Sequence, residues 1–436
     1  MTLVDARTGI VRRVVSTAMP TDLPTTLCLA EAYIADTTSW SPWPSDLTCA
    51  GGVFWDRSAA EAAALGEAVE RYCGNLVRPA LRVASYLQLR SSGQMAIDPS
   101  SLALYSNQQY SLPKFPFVPF TRDLEVRWVQ GRDLQTGMSI QVPASLVWLS
   151  YFRGEPTLEE SRTNAVIYAG IAAGPTRDAA EWSALLELLE RDAVTLLWVS
   201  GDPIAEVLVP RWLSNLACGQ YASFNTRFFC FPSVVGLPVI GALTVHEPTG
   251  YISLGTACRP DPAAAAIKAL AEAFQLQIAV RQLDDPTSSI CRIASTPESP
   301  LKPWRHDRLY HLAYRRDYRD VTDLSCNLQL HLDMTLRAGL ERRLHTGGQV
   351  RLADLTPSNE STDAIVARLS NLGLAVASVD LTTRDVRALG MCVVRLVGQG
   401  LYSNAPAAFP FLGGTRLAES LARTCAAPRT DPLPFA

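Results

Sequence analysis

The sequence has few of the features that announce a protein's task. Its N-terminus, MTLVDARTGIVRRVV, has neither the apolar core nor the cleavage site of a signal peptide. No apolar run approaches the length of about eighteen residues that spans a bilayer, so a cytoplasmic protein without a membrane segment is expected. A basic excess is missing too. The net charge of −3 over 436 residues argues against a general nucleic-acid or acidic-membrane binder. The ten cysteines are dispersed with no C-x-x-C pair or zinc spacing, and read as buried small hydrophobes. Five scattered histidines form no ligand pattern, and His306 and His311 fit a polar, arginine-rich loop better than a metal. There is no G-x-x-x-x-G-K-S/T loop, no kinase signature and no dinucleotide fingerprint after a strand. No Gly/Ser or charged linker divides the chain, which favours one extended domain.

What is present is hydrophobic and well patterned, with 48% hydrophobic and 19% charged residues, the balance of a packed globular protein. Strands are expected in GIVRRVVST, EVRWVQGRDL, SIQVPASLVWL, TNAVIYAGIAAG and CVVRLV, and paired strands in GLPVIGALTV and YISLGTACR. A capping box, Ser58-x-x-Glu61, predicts a helix to Tyr72. Thr176 or Asp178 starts a second helix, and Asp261-Pro262 supplies the cap and first-turn proline of a third. Residues 281–325 read as a polar excursion with short helices, and STDAIVARLSNLGLAVASVDLT as helix, glycine cap and strand. The fold class is α/β or α+β. Residues 1–50 are expected to pack on a core of 51–415, followed by a proline-containing tail, 416–436.

The three helices share a phrase. Glu187, Glu190 and Arg191 fall within one turn of a helix otherwise apolar nearly all round, which marks it as buried. Glu67, Glu70 and Arg71 repeat the pattern among alanines, and Glu272 and Gln275 follow Lys268 on the third helix. Buried carboxylates are costly unless paired, hydrogen-bonded or protonated. Two explanations compete. In one, the acids join internal ion-pair networks with their neighbouring arginines. In the other they converge, and then five carboxylates exceed what Arg71, Arg191 and Lys268 neutralise. Mg²⁺ is the natural remaining counterion, since it takes oxygen ligands, keeps waters and is usually shared with substrate phosphates. Gly170 and Gly174 before the second helix suit either a phosphate or close strand–helix packing.

These phrases resemble the YcaO family, whose pattern runs A-x-x-S-A-L-G-E-A-x-E-R, then N-G-L-A-A-G-x-T with A-L-L-E-L-I-E-R-D-A, then A-L-x-E-A-x-Q. Here they stand as AEAAALGEAVER (60–71), GIAAGPTRDAAEWSALLELLERDA (170–193) and ALAEAFQ (269–275). Segments 101–120 and 128–147 are similar to those of azoline-forming members, and VVRLVGQGLY (393–402) to the family's closing strand and turn. The resemblance implies a YcaO-type fold with an ATP and Mg²⁺ cleft lined by three Glu-bearing helices. Carried over, Glu67, Glu70, Glu187, Glu190, Arg191, Glu272 and Gln275 become nucleotide ligands, and the five glutamates among them the metal ligands. The chain departs from the pattern at Ala63, usually serine, at Pro175, often asparagine, and at GGVFWD, where a Gly-Lys-Gly segment is common. The tail DPLPFA resembles a proline-rich C-terminus that reaches the active site in azoline-forming members, which implicates Pro432, Pro434 and Ala436 in catalysis.

The resemblance implies an ATP-dependent cyclodehydratase acting on a ribosomally made precursor peptide and converting Cys, Ser or Thr to thiazoline or oxazoline. It also implies a separate E1-like (ocin-ThiF) subunit to hold the leader, with a homodimer as an option. Two alternatives stay open: a thioamide- or amidine-forming enzyme, and a degenerate scaffold subunit.

Overall fold

Capping chemistry sets where the long helices begin. In the computed structural model, which describes residues 2–78, 80–344 and 347–435, helix α1 spans Arg57–Asn75 and is capped by Asp56, not Ser58. The Asp56 carboxylate accepts from the Ala59 N–H at 3.0 Å. A carboxylate at this position both caps the helix and meets its positive end, so the expected capping box at Ser58 lies inside the first turn. Helix α2, Arg177–Ser200, is capped by Thr176 as its sequence predicts and stops at Gly201 (φ 72°). Helix α3, Pro262–Leu283, is capped by Asp261, whose carboxylate accepts from the N–H groups of Ala263 and Ala264.

Among the described residues the strands form three sheets. The first is β1 (Val11–Ser16), β2 (Leu27–Ile34) and β3 (Thr48–Phe54), all antiparallel. The second orders β4 (Arg82–Ala84), β5 (Val126–Asp133), β13 (Ala375–Asp380), β14 (Cys392–Gln399) and β7 (Ile171–Gly174), with β6 (Ser139–Pro143) also on β5. The third orders β11 (Ile252–Cys258), β10 (Pro238–His246), β9 (Phe224–Pro232), β8 (Ala205–Leu208) and β12 (Gln349–Arg351). Only β12 and β8 pair in parallel among these strands, so the class is α+β within the expected mixed fold.

The three helices link the three sheets in a ring. Helix α1 packs on β2 and β3 and reaches β7; α2 packs on β14 and β7 and reaches β11; α3 packs on β11 and β10 and reaches β3. Missing side chains make this closeness possible. A Cβ on Gly51 would stand 2.4 Å from the Ala64 nitrogen of α1, and one on Gly255 would stand 2.1 Å from the Ala269 oxygen of α3. The two glycines of GGVFWD thus serve packing in β3.

Three expectations are corrected. The strand expected over 163–174 is confined to Ile171–Gly174; in the preceding stretch buried Thr163 and Asn164 bond locally, and Arg395 takes the carbonyls of Ile167 and Tyr168. The boundary expected at residue 50 falls inside β3. One helix, α3, is long and apolar enough to cross a membrane by length and composition, with a mean hydropathy of 1.3. Its apolar surface is accounted for by packing on β10 and β11. All ten cysteines are free, and only Cys425 is exposed.

The final segment is built into the protein. Helix α4 (Thr362–Asn371) leads through Gly373 to β13, and α5 (Thr415–Thr424) is tied to α2 by Arg416, which grips the fully buried Asp192 at 2.6 and 2.9 Å. Beyond α5 the chain turns inward. The Asp431 carbonyl accepts from the Trp198 indole at 2.7 Å, the Pro432 carbonyl meets His331 at 2.9 Å, and the Pro434 carbonyl accepts from the Leu254 N–H at 2.8 Å.

The glycine packing is testable by thermal denaturation. Gly255→Ala is expected to cost about 1–3 kcal/mol through overpacking. Gly339→Ala, in the helix Arg337–Leu344 with open space around the added carbon, is expected to stabilise by about 0.5–1 kcal/mol. Equal effects at the two sites would contradict the close-approach reading.

Candidate functional site

Helical spacing puts every fourth residue on one face, and each long helix turns such a ladder toward the centre of the ring. Helix α1 presents Ala63, Glu67 and Arg71; α2 presents Ser183, Glu187 and Arg191; α3 presents Lys268, Glu272 and Leu276. All nine line one cavity of about 620 Å³, closed further by Gly51 and Gly52 of β3, Ala172 and Ala173 of β7, and Leu254 and Thr256 of β11. Its size suits a nucleotide-sized ligand. The middle rung of each ladder is a glutamate.

The acids feel one another. Burial raises the Glu67 carboxyl above its ordinary range against the pull of Arg71, and the charges of Glu187 and Glu272, from the other two helices, raise it further. Burial likewise pushes Glu70 up to about 8, with Glu187 and Glu67 adding to the shift and the Ala173 N–H opposing it. Each acid is only lightly committed to the protein. Glu67 pairs with Arg71 at 3.2 Å and Glu272 with Lys268 at 2.5 Å; Glu187 accepts from the Gly170 N–H at 2.9 Å, and Glu70 from the Ala173 N–H at 2.8 Å.

Glu190 stands apart. It is 3% exposed and is not part of the cavity wall. Its carboxylate accepts from Thr256 Oγ1 at 2.6 Å and the Cys258 N–H at 3.1 Å, and pairs with Arg191 at 3.2 Å. Burial opposes the charge of Arg191, but Glu190, Glu187 and Glu272 outweigh it and hold the guanidinium above its ordinary value. Arg191 also donates to Thr256 Oγ1 at 3.1 Å and lies 5.1 Å from the ring centre of Phe435.

Of the remaining predicted residues, Gln275 lines the cavity and lies where a Cβ on Gly52 would be 2.7 Å from its amide carbon. Pro432 and Pro434 are buried in the tail that leads to the cavity, and Ala436 lies outside the described residues. Four further lining groups were not among the expected ones: Ser183, Thr256, Arg259 and Phe435. Ser183 was findable, since it stands four residues before Glu187. Phe435 belongs to the tail DPLPFA that the resemblance brings to the site, but was not itself expected there.

Among the described residues no three His, Cys, Asp or Glu side chains stand close enough to form a ready-made metal cage. That donor set fits Mg²⁺ better than a metal needing a full protein shell, because Mg²⁺ is held by one or two carboxylates plus waters and phosphate oxygens. Arg71, Arg191, Arg259 and Lys268 at the same cavity supply cations for phosphate. The residues present fit ATP with Mg²⁺.

Comparison with known proteins agrees. A family model described as YcaO cyclodehydratase, ATP- and Mg²⁺-binding, matches residues 52–401. An uncharacterised protein in the tfuA 3′ region of Rhizobium leguminosarum bv. trifolii is 26% identical over 242 residues, covering 51% of this chain and 53% of its own length. The chain thus spans about half the length of the curated relatives it matches. The fold is shared with a heterocyclase in complex with substrate and cofactor (TM-score 0.71, 19% identity, 99% of this chain and 56% of that one). It is shared with YcaO from Methanopyrus kandleri bound with AMPPCP and Mg²⁺ (TM-score 0.58, 21% identity, 91% and 90%). The E. coli microcin synthetase McbBCD complex with pro-MccB17 bound also has it (TM-score 0.59, 12% identity, 97% and 96%).

The raised Glu70 carboxyl has a consequence for stability. A carboxyl that binds a proton more tightly when folded stabilises the fold at low pH and loses that contribution as pH rises through its folded value. The melting temperature of the nucleotide-free protein is therefore expected to fall between pH 4.5 and about 8, and Glu70→Gln to flatten the fall. A pH-independent melting temperature, or an unchanged slope in the variant, would contradict the shift.

Proposed function

This chain belongs to the YcaO family, and on that premise we propose that it is an ATP-dependent cyclodehydratase acting on backbone amides of a ribosomally made precursor peptide. ATP and Mg²⁺ are its cofactors. The observation that carries the reading is the layer of acids, Glu67, Glu187 and Glu272, contributed by three helices to one cavity and flanked by cations. In this reading Glu67, Glu70, Glu187 and Glu272 hold Mg²⁺ directly or through water, and Gln275, Arg191 and Lys268 hold the nucleotide. Glu190 acts one step back, fixing Arg191 against β11.

The chemistry follows from what such a site supplies. A Cys, Ser or Thr side chain of the peptide gives up its S–H or O–H proton and attacks the preceding carbonyl, forming a ring C–S or C–O bond as the C=O double bond becomes single. The carbonyl oxygen takes the γ-phosphoryl group of ATP, releasing ADP. Its C–O bond then breaks, phosphate departs, and the amide nitrogen loses its proton to leave the C=N bond of thiazoline or oxazoline. Bound Mg²⁺ neutralises phosphate charge. The protein's own work is positioning and charge balance, without a protein nucleophile. Phe435 and the buried Pro432 and Pro434 bring the tail to the cavity beside Arg191, which supports a role for this segment in shaping the peptide end of the site.

The departures from the family pattern leave the cavity open. Ala63 lines it and Pro175 is exposed outside it, which weighs against a degenerate scaffold. A separate leader-binding subunit of the E1-like type is part of the proposal, supported by the multi-subunit assembly of the microcin synthetase.

Incubation with partner subunit, peptide, ATP and Mg²⁺ is expected to release phosphate and to lower the peptide mass by one water per ring. An oxygen-for-sulfur exchange would replace azoline formation with thioamidation, and ATP binding without any mass change would overturn both. Glu187→Gln and Glu272→Gln are each expected to weaken Mg²⁺–ATP binding by about 10- to 100-fold, the loss that goes with a charge-assisted contact. Calorimetry with unchanged affinity in both would remove the acid layer from the site.

A further inference from the structure

The acids of the site do not orient themselves. One short stretch of chain, residues 168–173, makes two backbone contacts to the acids and one side-chain contact to the arginine that pairs with a third. The Tyr168 ring lies 5.0 Å beneath the guanidinium of Arg71, the partner of Glu67. The Gly170 N–H holds Glu187 and the Ala173 N–H holds Glu70. Only the last part of this stretch is β-strand, pairing Ile171–Gly174 with β14. The part before it has no ladder to hold it.

Arg395 takes the place of the ladder. It sits on β14, paired with Ile171, and is 2% exposed. Its guanidinium donates to the carbonyls of Leu146 at 3.0 Å, Ile167 at 2.9 Å and Tyr168 at 3.2 Å. No carboxylate pairs with it among the described residues. Burial pulls its pKa down to about 10, and the charge of Glu187 is what chiefly works against that. A buried cation spent wholly on main-chain carbonyls is an expensive way to brace a loop, and the loop it braces leads into the backbone donors that hold Glu187 and Glu70. One residue further, the Leu396 N–H donates to the Gly170 carbonyl at 2.7 Å, and Gly170 adopts φ 89°, where a Cβ would meet that carbonyl's donor strand at 2.7 Å.

We propose that Arg395 is a positioning residue of the nucleotide site: its planar fork fixes residues 167–170, and through the Gly170 N–H and the Tyr168 ring it sets the direction of Glu187 and Arg71. The inference rests on the reading of the cavity as the Mg²⁺–ATP site, but its first test does not. Lysine keeps the charge without the fork, so Arg395→Lys separates the two.

Hydrogen exchange of the nucleotide-free protein is expected to show amides 168–173 exchanging about tenfold or more faster in Arg395→Lys, with those of β10 and β11 unchanged. Uniform acceleration across the protein, or no change, would overturn the proposal. Should the variant not fold, the wild type decides: Gly170 and Ala173 amides protected as strongly as β14 support the clamp, and freely exchanging ones refute it. Calorimetry with a non-hydrolysable ATP analogue and Mg²⁺ gives the second readout, with affinity expected to fall about 10- to 100-fold in Arg395→Lys, as for partners that orient a metal ligand. Combining Arg395→Lys with Glu187→Gln is expected to weaken binding little beyond Glu187→Gln alone. Fully additive losses would show that Arg395 does not act through Glu187. A wild-type protein that binds no analogue would remove the nucleotide reading while leaving the exchange result to decide the clamp.

Discussion

Like charges from three helices share one partly dry hollow, and the rest of the site follows from that constraint. Glu67, Glu187 and Glu272 are drawn together by the packing of α1, α2 and α3 on three sheets, and burial together with the charges of Glu187 and Glu272 makes Glu67 harder to ionise. Their neighbours relieve the strain only in part, through one cation each for Glu67 and Glu272 and a single main-chain donor for Glu187. The acids gather in one layer of the cavity and four cations, Arg71, Arg191, Arg259 and Lys268, flank it, so the site calls for a ligand carrying charge of both signs. A divalent ion carrying a polyphosphate meets the need, because it neutralises the acids while the phosphates occupy the surrounding guanidinium and ammonium groups.

Such a cluster requires stiff support. Glycines at positions 51 and 255 let strands approach helices more closely than any side chain would allow, so the ring of helices has little freedom to expand. Glu190 and Thr256 hold Arg191 from behind, Arg395 braces the segment that carries the acids' donors, and Arg416 ties α5 to α2. The tail then closes one side with Phe435. These supports are charged or polar and buried, a costly choice for stability alone but suited to holding a few acids in one direction.

The sequence revealed much of this and hid the rest for physical reasons. The caps Thr176 and Asp261 were legible because capping is local, and the strand pair β10–β11 because both runs are bounded by turns. The three glutamate phrases were legible as a group. Their individual directions were not: residues 187 and 190 share a turn, but the second is rotated to β11, and only tertiary packing decides which of two neighbours meets a strand and which meets the cavity. The choice of Asp56 over Ser58 as cap depended on where β3 ends, a fact beyond local pattern. The stretch before β7 read as strand because it is apolar, yet its backbone is satisfied by Arg395 from more than two hundred residues away. Phe435 was legible only as part of the tail DPLPFA and not as a residue of its own, since its position depends on the path of the whole tail.

Crystals grown with a non-hydrolysable ATP analogue and Mn²⁺ in place of Mg²⁺ would locate the metal by its anomalous scattering. A manganese peak inside the cavity, bridging phosphate oxygens to carboxylates of at least two of the three long helices, is the expected result. Manganese and nucleotide bound elsewhere, with Glu67, Glu187 and Glu272 left facing only their protein partners, would contradict it.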